Sequence, residues 1–267
     1  MSILNTIVAR KKEEIAERKT RLGTTELEKS PFFHRDTYSL SQSLRKASPG
    51  IIAEFKRKSP SKGIINDQAD VAETTQGYVQ AGAAALSVLT DVDFFAGNDG
   101  DLCIARARNQ VPILRKDFTI DEYQVVEAKA LGADAILLIA AILPPPRVLA
   151  LAQQAHQLGL EVLLEVHNEE ELRQTALNKT ISPFLDVVGV NNRDLKTFNT
   201  TIETSIRLAE LMPNNLVKIS ESGINAPANI RTLMEHGYQG FLIGEYFMKQ
   251  NNPAQACGNF IQELTAN

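Results

Sequence analysis

One junction recurs four times in this chain and restricts the folds open to it. Ala81-Gly82-Ala83, Leu131-Gly132-Ala133, Leu158-Gly159-Leu160 and His236-Gly237-Tyr238 each follow a helically spaced stretch and precede an aliphatic run. Glycine just past a helix end supplies the left-handed residue that closes the last turn. A gap of about two residues before the next strand is typical of αβ connections. A chain punctuated in this way alternates helix and strand.

The aliphatic runs place strands at 51–55, 85–89, 112–115, 135–139, 162–165, 187–190, 217–220 and 240–243. Helical spacing fits between them at 71–80, 102–109, 121–130, 147–158, 169–176, 202–211 and 228–236, with a last helix after Pro253. Eight βα units in 267 residues point to an α/β protein of the closed (β/α)8 TIM-barrel type. That architecture takes about 250 residues and carries its functional groups at the carboxyl ends of the strands. An open doubly wound sheet would show fewer strands and one glycine-rich first turn. Residues 1–48 read as an N-terminal helical extension, loose near 23–36, and residues 49–267 as the barrel, the two forming one domain overall. Within the extension Ile3, Leu4, Ile7, Val8 and Ile15 share one helix face, expected to cover the barrel mouth or pack on the barrel wall.

Composition narrows the function classes. A hydrophobic content of 43% suffices for a large core, and a net charge of −4 gives no electrostatic reason to expect nucleic acid or an anionic membrane as partner. Cys103 and Cys257 are too few for a disulfide framework or a cysteine-based metal site, which is the usage of a reducing, cytoplasmic setting. Residues 1–22 mix Arg10, Lys11 and Lys12 with Glu13, Glu14 and Glu17, unlike a signal or transit peptide. His34, His156, His167 and His236 show no metal-ligand spacing, so no metal is expected. His167 stands just beyond Glu165 and could reach the mouth, but it is read as having no catalytic role. Pro144-Pro145-Pro146 reads as a loop feeding a helix, and Glu169-Glu170-Glu171 as a first turn capped by Asn168.

The strand ends carry the chemistry. Glu54 and Lys56 fall on one side of the first strand, Lys116 closes the third, Glu165 the fifth, Asn191 with Arg193 the sixth, and Glu221-Ser222-Gly223 the seventh. Lys116, Glu165 and Glu221 each lie two residues after an aliphatic position, so each continues an inward-facing column onto the top layer. Three carboxylates and three cations thus converge over an apolar floor. As a stability device this is poor, because each buried ion costs several kcal/mol before pairing repays it. Acid and base catalysis is the better explanation. Ser222-Gly223, Gly244-Glu245 and Ser59 beside Lys58 supply small residues and backbone N–H groups at strand ends where barrels commonly hold phosphate. Phe94, Phe95 and Phe118 either pack under a neighbouring helix or form a slot for a planar ring.

Six of these stretches resemble one family in order and in register: Ala53-Glu54-Phe55-Lys56-Arg57-Lys58-Ser59-Pro60-Ser61; Leu89-Thr90-Asp91 with Phe94-Phe95-Ala96-Gly97; Leu114-Arg115-Lys116-Asp117-Phe118; Leu164-Glu165-Val166-His167; Gly189-Val190-Asn191-Asn192-Arg193-Asp194-Leu195; and Ser220-Glu221-Ser222-Gly223-Ile224. The set resembles indole-3-glycerol phosphate synthase and runs from Ile51 to about Met248; a helical extension also belongs to that family. The resemblance implies closure of 1-(2-carboxyphenylamino)-1-deoxyribulose 5-phosphate to indole-3-glycerol phosphate, with loss of carbon dioxide and water, in tryptophan biosynthesis. It implies no cofactor, a phosphorylated small molecule as the only partner, and a monomer or weak homodimer.

By the same resemblance Lys116 is the acid at the ketone, and Lys56, Glu54 and Glu165 are candidates for the dehydration. Of the two divisions of labour argued for the family, we favour Lys56 as acid and Glu54 as base for that last step, since they share one strand face. Asn191 and Glu221 would orient hydroxyls and lysines, and Arg193 would hold the anthranilate carboxylate. Lys58, Ser59, Ser222, Gly223, Gly244 and Glu245 would surround the phosphate, and Phe95, Phe118, Leu137, Leu195 and Ile243 would line the aromatic slot. Many relatives carry serine at the position of Glu245, so its carboxylate is expected to turn away from the phosphate and leave only its N–H. Tyr246-Phe247 is bulkier than the usual pair there. The rivals are a Schiff-base barrel aldolase and an inactive phosphate-binding scaffold, against which the retained inward charges speak.

Overall fold

The computed structural model describes residues 3–194 and 197–266. Eight parallel strands close on themselves: β1 (Gly50–Phe55), β2 (Ala85–Leu89), β3 (Ile113–Lys116), β4 (Ala135–Ile139), β5 (Glu161–Val166), β6 (Val187–Asn191), β7 (Val217–Glu221) and β8 (Gly240–Ile243). Each pairs with the next in the chain, and β8 pairs back to β1. The expected barrel is the observed one.

Side-chain alternation divides the apolar residues into two sets. Ile52, Leu114, Leu137, Leu163, Val187, Ile219 and Leu242 pack inside the barrel, while Ile51, Val88, Ile136, Leu164, Val188 and Phe241 pack outward against the helices. The same parity carries Glu54, Lys116, Glu165 and Glu221 inward at the carboxyl ends. Register keeps those ends level, since Leu89 lies opposite Lys116, Ile139 opposite Glu165 and Asn191 opposite Glu221.

The outer helices start and stop for local reasons. Asp70, Asn98, Asp121 and Asn168 cap helices Val71–Gln80, Asp99–Arg108, Glu122–Leu131 and Glu169–Gln174 by accepting backbone N–H bonds. Gly82, Gly132, Gly159 and Gly237, the four junction glycines, all have positive φ. Pro145 opens helix Pro145–Gln157, with Pro144 as its cap residue. Four small elements leave no periodic trace in the sequence. Two are single-turn helices, Val92–Phe95 after β2 and Glu245–Met248 after β8. The third is a hairpin in the first loop that pairs Lys58–Ser59 with Gly63–Ile64. The fourth is the 3-10 turn Ser182–Phe184 before β6.

The extension consists of α1 (Ile3–Arg21), α2 (Thr24–Leu27) and α3 (Leu40–Lys46). Helix α3 plugs the amino-terminal end of the barrel. Its Leu40 and Leu44 are fully buried in the interior cluster, each worth about 1.5–3 kcal/mol of apolar burial. Gly50 and Gly240 leave room for it, because a Cβ at Gly50 would sit 2.8 Å from Leu44 Cδ2 and one at Gly240 3.2 Å from Leu44 Cδ1. Helix α1 lies at the other end. Ile15 packs on Tyr123, Val126 and Ala130, and Ile7 joins the interior cluster. No helix among the described residues is long and apolar enough to cross a membrane.

Candidate active site

The charges at the strand ends sort into two groups. At the carboxyl end of β1 the Nζ of Lys56, the residue after the strand, donates to Glu54 Oε1 at 2.6 Å, and Ser87 Oγ from β2 donates to Glu54 Oε2 at 3.2 Å. Across the mouth the Lys116 Nζ donates to Glu165 Oε2 at 3.0 Å and to Glu221 Oε2 at 2.9 Å. One ammonium therefore bridges carboxylates from β5 and β7.

Burial sets the electrostatics of this second group. Desolvation disfavours the Lys116 ammonium, but Glu165, Glu221 and Glu54 outweigh it and hold the lysine protonated well above its ordinary range. Burial likewise pushes Glu165 up, yet Lys116 and His167 together bring it below the usual carboxylate range. Glu221 goes the other way, raised because desolvation and the neighbouring Glu165 exceed the help of Lys116. The two carboxylates share one cation, which draws Glu165 down and leaves Glu221 raised.

Two glycines make these contacts possible. A Cβ on Gly189 of β6 would fall 2.2 Å from Glu221 Oε1, and a Cβ on Gly244 would fall 2.6 Å from Glu54 Oε1. Gly244 is an anion-site candidate by sequence, and its missing side chain gives space to Glu54. Gly189 carries no signal in the sequence beyond a glycine in the middle of a strand.

The cavity over these charges is bordered by Glu54, Lys56, Ser59, Phe95, Lys116, Phe118, Leu137, Glu165, Asn191, Arg193, Glu221, Ser222, Gly223, Ile243, Gly244 and Glu245, which are all candidates from sequence. Phe95 and Phe118 stand with ring centroids 6.0 Å apart and form one apolar wall. Ile243 borders the cavity while packing with the outer layer, and Leu242 takes the interior position. Opposite, Ser222 and Gly223 follow β7 with φ of 66° and 75°. Two buried polar atoms on the cavity wall, Ser59 Oγ and Glu221 Oε1, have no hydrogen-bond partner among the described residues.

Lys58 is turned aside, its Nζ donating to the Asp93 carbonyl at 3.0 Å on the rim. Leu195 lies outside the described residues. The Glu245 carboxylate reaches across the mouth: its Oε2 accepts from Arg193 at 3.4 Å and its Oε1 lies 3.9 Å from Lys62 Nζ on the first-loop hairpin. Phe247 puts its bulk into the outer layer, buried against Tyr78 and Phe260. Asn192, not singled out from sequence, ties β6 to β7 by donating to Ser220 Oγ and the Ser222 carbonyl.

The extension completes the wall with Ile3, Leu4 and Ile7. It is fastened by a charged residue hidden in its apolar stripe. Lys11 is 2% exposed and lies 2.7 Å from Glu14, 3.0 Å from Asp91 and 2.9 Å from Asp117. Asp117 is the residue after Lys116, and its carboxylate also accepts from Thr90 and Arg115. The spacing 3, 7, 11, 15 would have revealed a lysine on the buried face.

Comparison with known proteins bears on this arrangement. The family model described as indole-3-glycerol phosphate synthase matches residues 4–260. The chain belongs to the indole-3-glycerol phosphate synthase family. Curated members include those of Bacteroides thetaiotaomicron, 46% identical over 98% of this chain and 98% of that protein, and of Acinetobacter baylyi, 47% identical over 96% and 94%. That of Bordetella pertussis is 41% identical over 94% and 95%. Among solved structures, mutant tryptophan synthase α-subunits from Pyrococcus furiosus superpose with a TM-score of 0.58 at 16% and 14% identity, covering 82% of this chain and 99% of theirs. That likeness shows the barrel fold alone. In this member of the synthase family the described residues of the six motifs read from sequence end at the same barrel mouth, with His167 seated behind the wall. Among the described residues no cluster of His, Cys, Asp and Glu is arranged to hold a metal ion.

Proposed function

We propose that this chain closes 1-(2-carboxyphenylamino)-1-deoxyribulose 5-phosphate to indole-3-glycerol phosphate by general acid–base catalysis at the barrel mouth. The observation that carries the reading is Lys116, an ammonium held between two buried carboxylates beside an apolar slot. The ring carbon that bears the carboxylate attacks the ketone carbon, and Lys116 gives a proton to the ketone oxygen. Carbon dioxide then leaves, and its electron pair restores the aromatic ring. Finally the new hydroxyl departs as water with a proton from Lys56, while Glu54 takes the proton lost from the adjoining carbon. The 2.6 Å ion pair at the carboxyl end of β1 supports that last division. It lets one strand face serve both as acid and as base.

Phe95, Phe118, Leu137 and Ile243 would receive the anthranilate ring and Arg193 its carboxylate. Ser59, Ser222, Gly223 and the backbone at Gly244 and Glu245 would receive the phosphate, with Lys58 at the rim. Asn191 and Glu221 would orient hydroxyls and Lys116. Extension and barrel act as one domain, in the cytoplasm, as a monomer or weak homodimer. A Schiff-base aldolase needs a neutral amine, whereas the surroundings of Lys116 hold it charged.

Indole fluorescence during turnover of that substrate, without added metal or cofactor, tests the reading. Lys116→Met should lower kcat by about 100-fold or more, and borohydride should trap no adduct on the native chain. A Lys116→Met variant that closes the ring at the native rate refutes it.

A further inference from the structure

We propose that His167 is a positioning residue for this reaction: seated between Glu165 and Glu171 behind the cavity wall, it takes one oxygen of Glu165 and leaves the other for Lys116. The geometry is a line of alternating charges. Glu171 Oε2 lies 3.2 Å from His167 Nδ1, His167 Nε2 lies 3.3 Å from Glu165 Oε1, and Glu165 Oε2 lies 3.0 Å from Lys116 Nζ. Lys116 meets Glu221 at 2.9 Å, and Glu54 acts on the lysine from β1.

Strand alternation explains the placement. His167 follows Val166, the outward-facing last residue of β5, and so repeats the inward parity of Glu165 one layer higher. Its side chain is 10% exposed and does not border the cavity, so it works through Glu165 and never on substrate. The next helix fixes Glu171, whose carboxylate also accepts from the His167 backbone N–H at 2.8 Å and from Asn168 Nδ2 at 2.7 Å. Both ring nitrogens thus face carboxylates, an arrangement that only the imidazolium satisfies, since a neutral ring would point a lone pair at one of them.

The consequence lies in Glu165. Burial favours its protonated form, which would leave Lys116 with less compensating charge. A fixed cation on the far oxygen keeps Glu165 an anion and stops it from rotating away from Lys116. Burial opposes the imidazolium, but Glu165 and Glu171 outweigh it and raise His167 to about 10, so the ring stays charged through the working range. The inference rests on Lys116 acting as the acid at the ketone.

The test uses the full chain and two readouts. NMR titration of the His167 ring in the native protein should show a cation that persists above pH 8. A ring that loses its proton near its ordinary value, about 6.5, overturns the proposal whether or not variants fold. In turnover, His167→Gln should lower kcat by about tenfold or more with KM little changed, the scale of a displaced partner to the acid. The Glu165 carboxyl, followed by 13C NMR, should titrate higher in His167→Gln than in the native chain, because Glu165 loses a neighbouring cation. His167→Arg should bring it part of the way back. A His167→Gln variant that loses activity while its Glu165 carboxyl titrates as in the native chain assigns the ring a packing role and overturns the proposal. Failure of the Lys116 reading would appear separately, as ring closure by Lys116→Met.

Discussion

Gly189→Ala isolates the geometry at Lys116 from the stability of the barrel. The added Cβ would sit 2.2 Å from Glu221 Oε1, 3.3 Å from Glu221 Cδ and 3.2 Å from Ile219 Cγ1. The severe overlap is with the tip of a rotatable side chain, so Glu221 swings aside while the strand holds. The stability cost should then stay near the low end of small-to-large core changes, about 1 kcal/mol. Lys116 loses its 2.9 Å bond to Glu221, however. A charge-assisted hydrogen bond is worth about 1.5–3 kcal/mol, and at about 1.4 kcal/mol per decade that amounts to roughly a 10- to 150-fold fall in kcat. Turnover followed by indole fluorescence, beside a urea melt, separates the two effects. In a Glu221→Gln background the same substitution should add little further loss, because both changes act on one contact. Native turnover in Gly189→Ala would refute the idea that the Glu221 carboxylate must hold its place. So would full additivity with Glu221→Gln.

Two more substitutions probe the rest of the mouth. Lys11→Met should destabilise the protein by about 3–5 kcal/mol in a urea melt, since it leaves the buried Asp91 without its cation, while Asp117 keeps Arg115 and Thr90; a loss below about 1 kcal/mol would mean that water reaches Asp91. Glu245→Ser should free Arg193 and lower KM by up to about fivefold with kcat unchanged, the scale of an exposed ion pair, and a raised KM would show that the carboxylate helps to seat the substrate.

The barrel was legible because it rests on local signals. A glycine in the left-handed region and a period-two strand can be read from neighbours in the chain. The inward columns were legible for the same reason, parity being counted along one strand. Partner choice was not, since Lys116 finds Glu165 and Glu221 from strands 49 and 105 residues further on. Nor was the use of Gly189 and Gly244, because a missing side chain gives no clue to whose atoms fill the space. Arg115 shows the limit of reading charge. It is 2% exposed and lies on the outward side of β3 among Asp99, Asp117 and Glu127, where a basic residue would ordinarily be sought in water.

The seat of α1 also orders the events of folding. Lys11 needs Asp91 and Asp117, and Arg18 reaches Asp99 and Glu127, 81 and 109 residues later in the chain. Those carboxylates are level with one another only after β2 and β3 have paired. The helix can wind early but has nowhere to dock until then. Local winding is quick, whereas distant pairing is slow. The substrate pocket would therefore acquire the part of its wall that α1 supplies late, and a partly assembled barrel would leave Ile3, Leu4 and Ile7 bare to bind other chains.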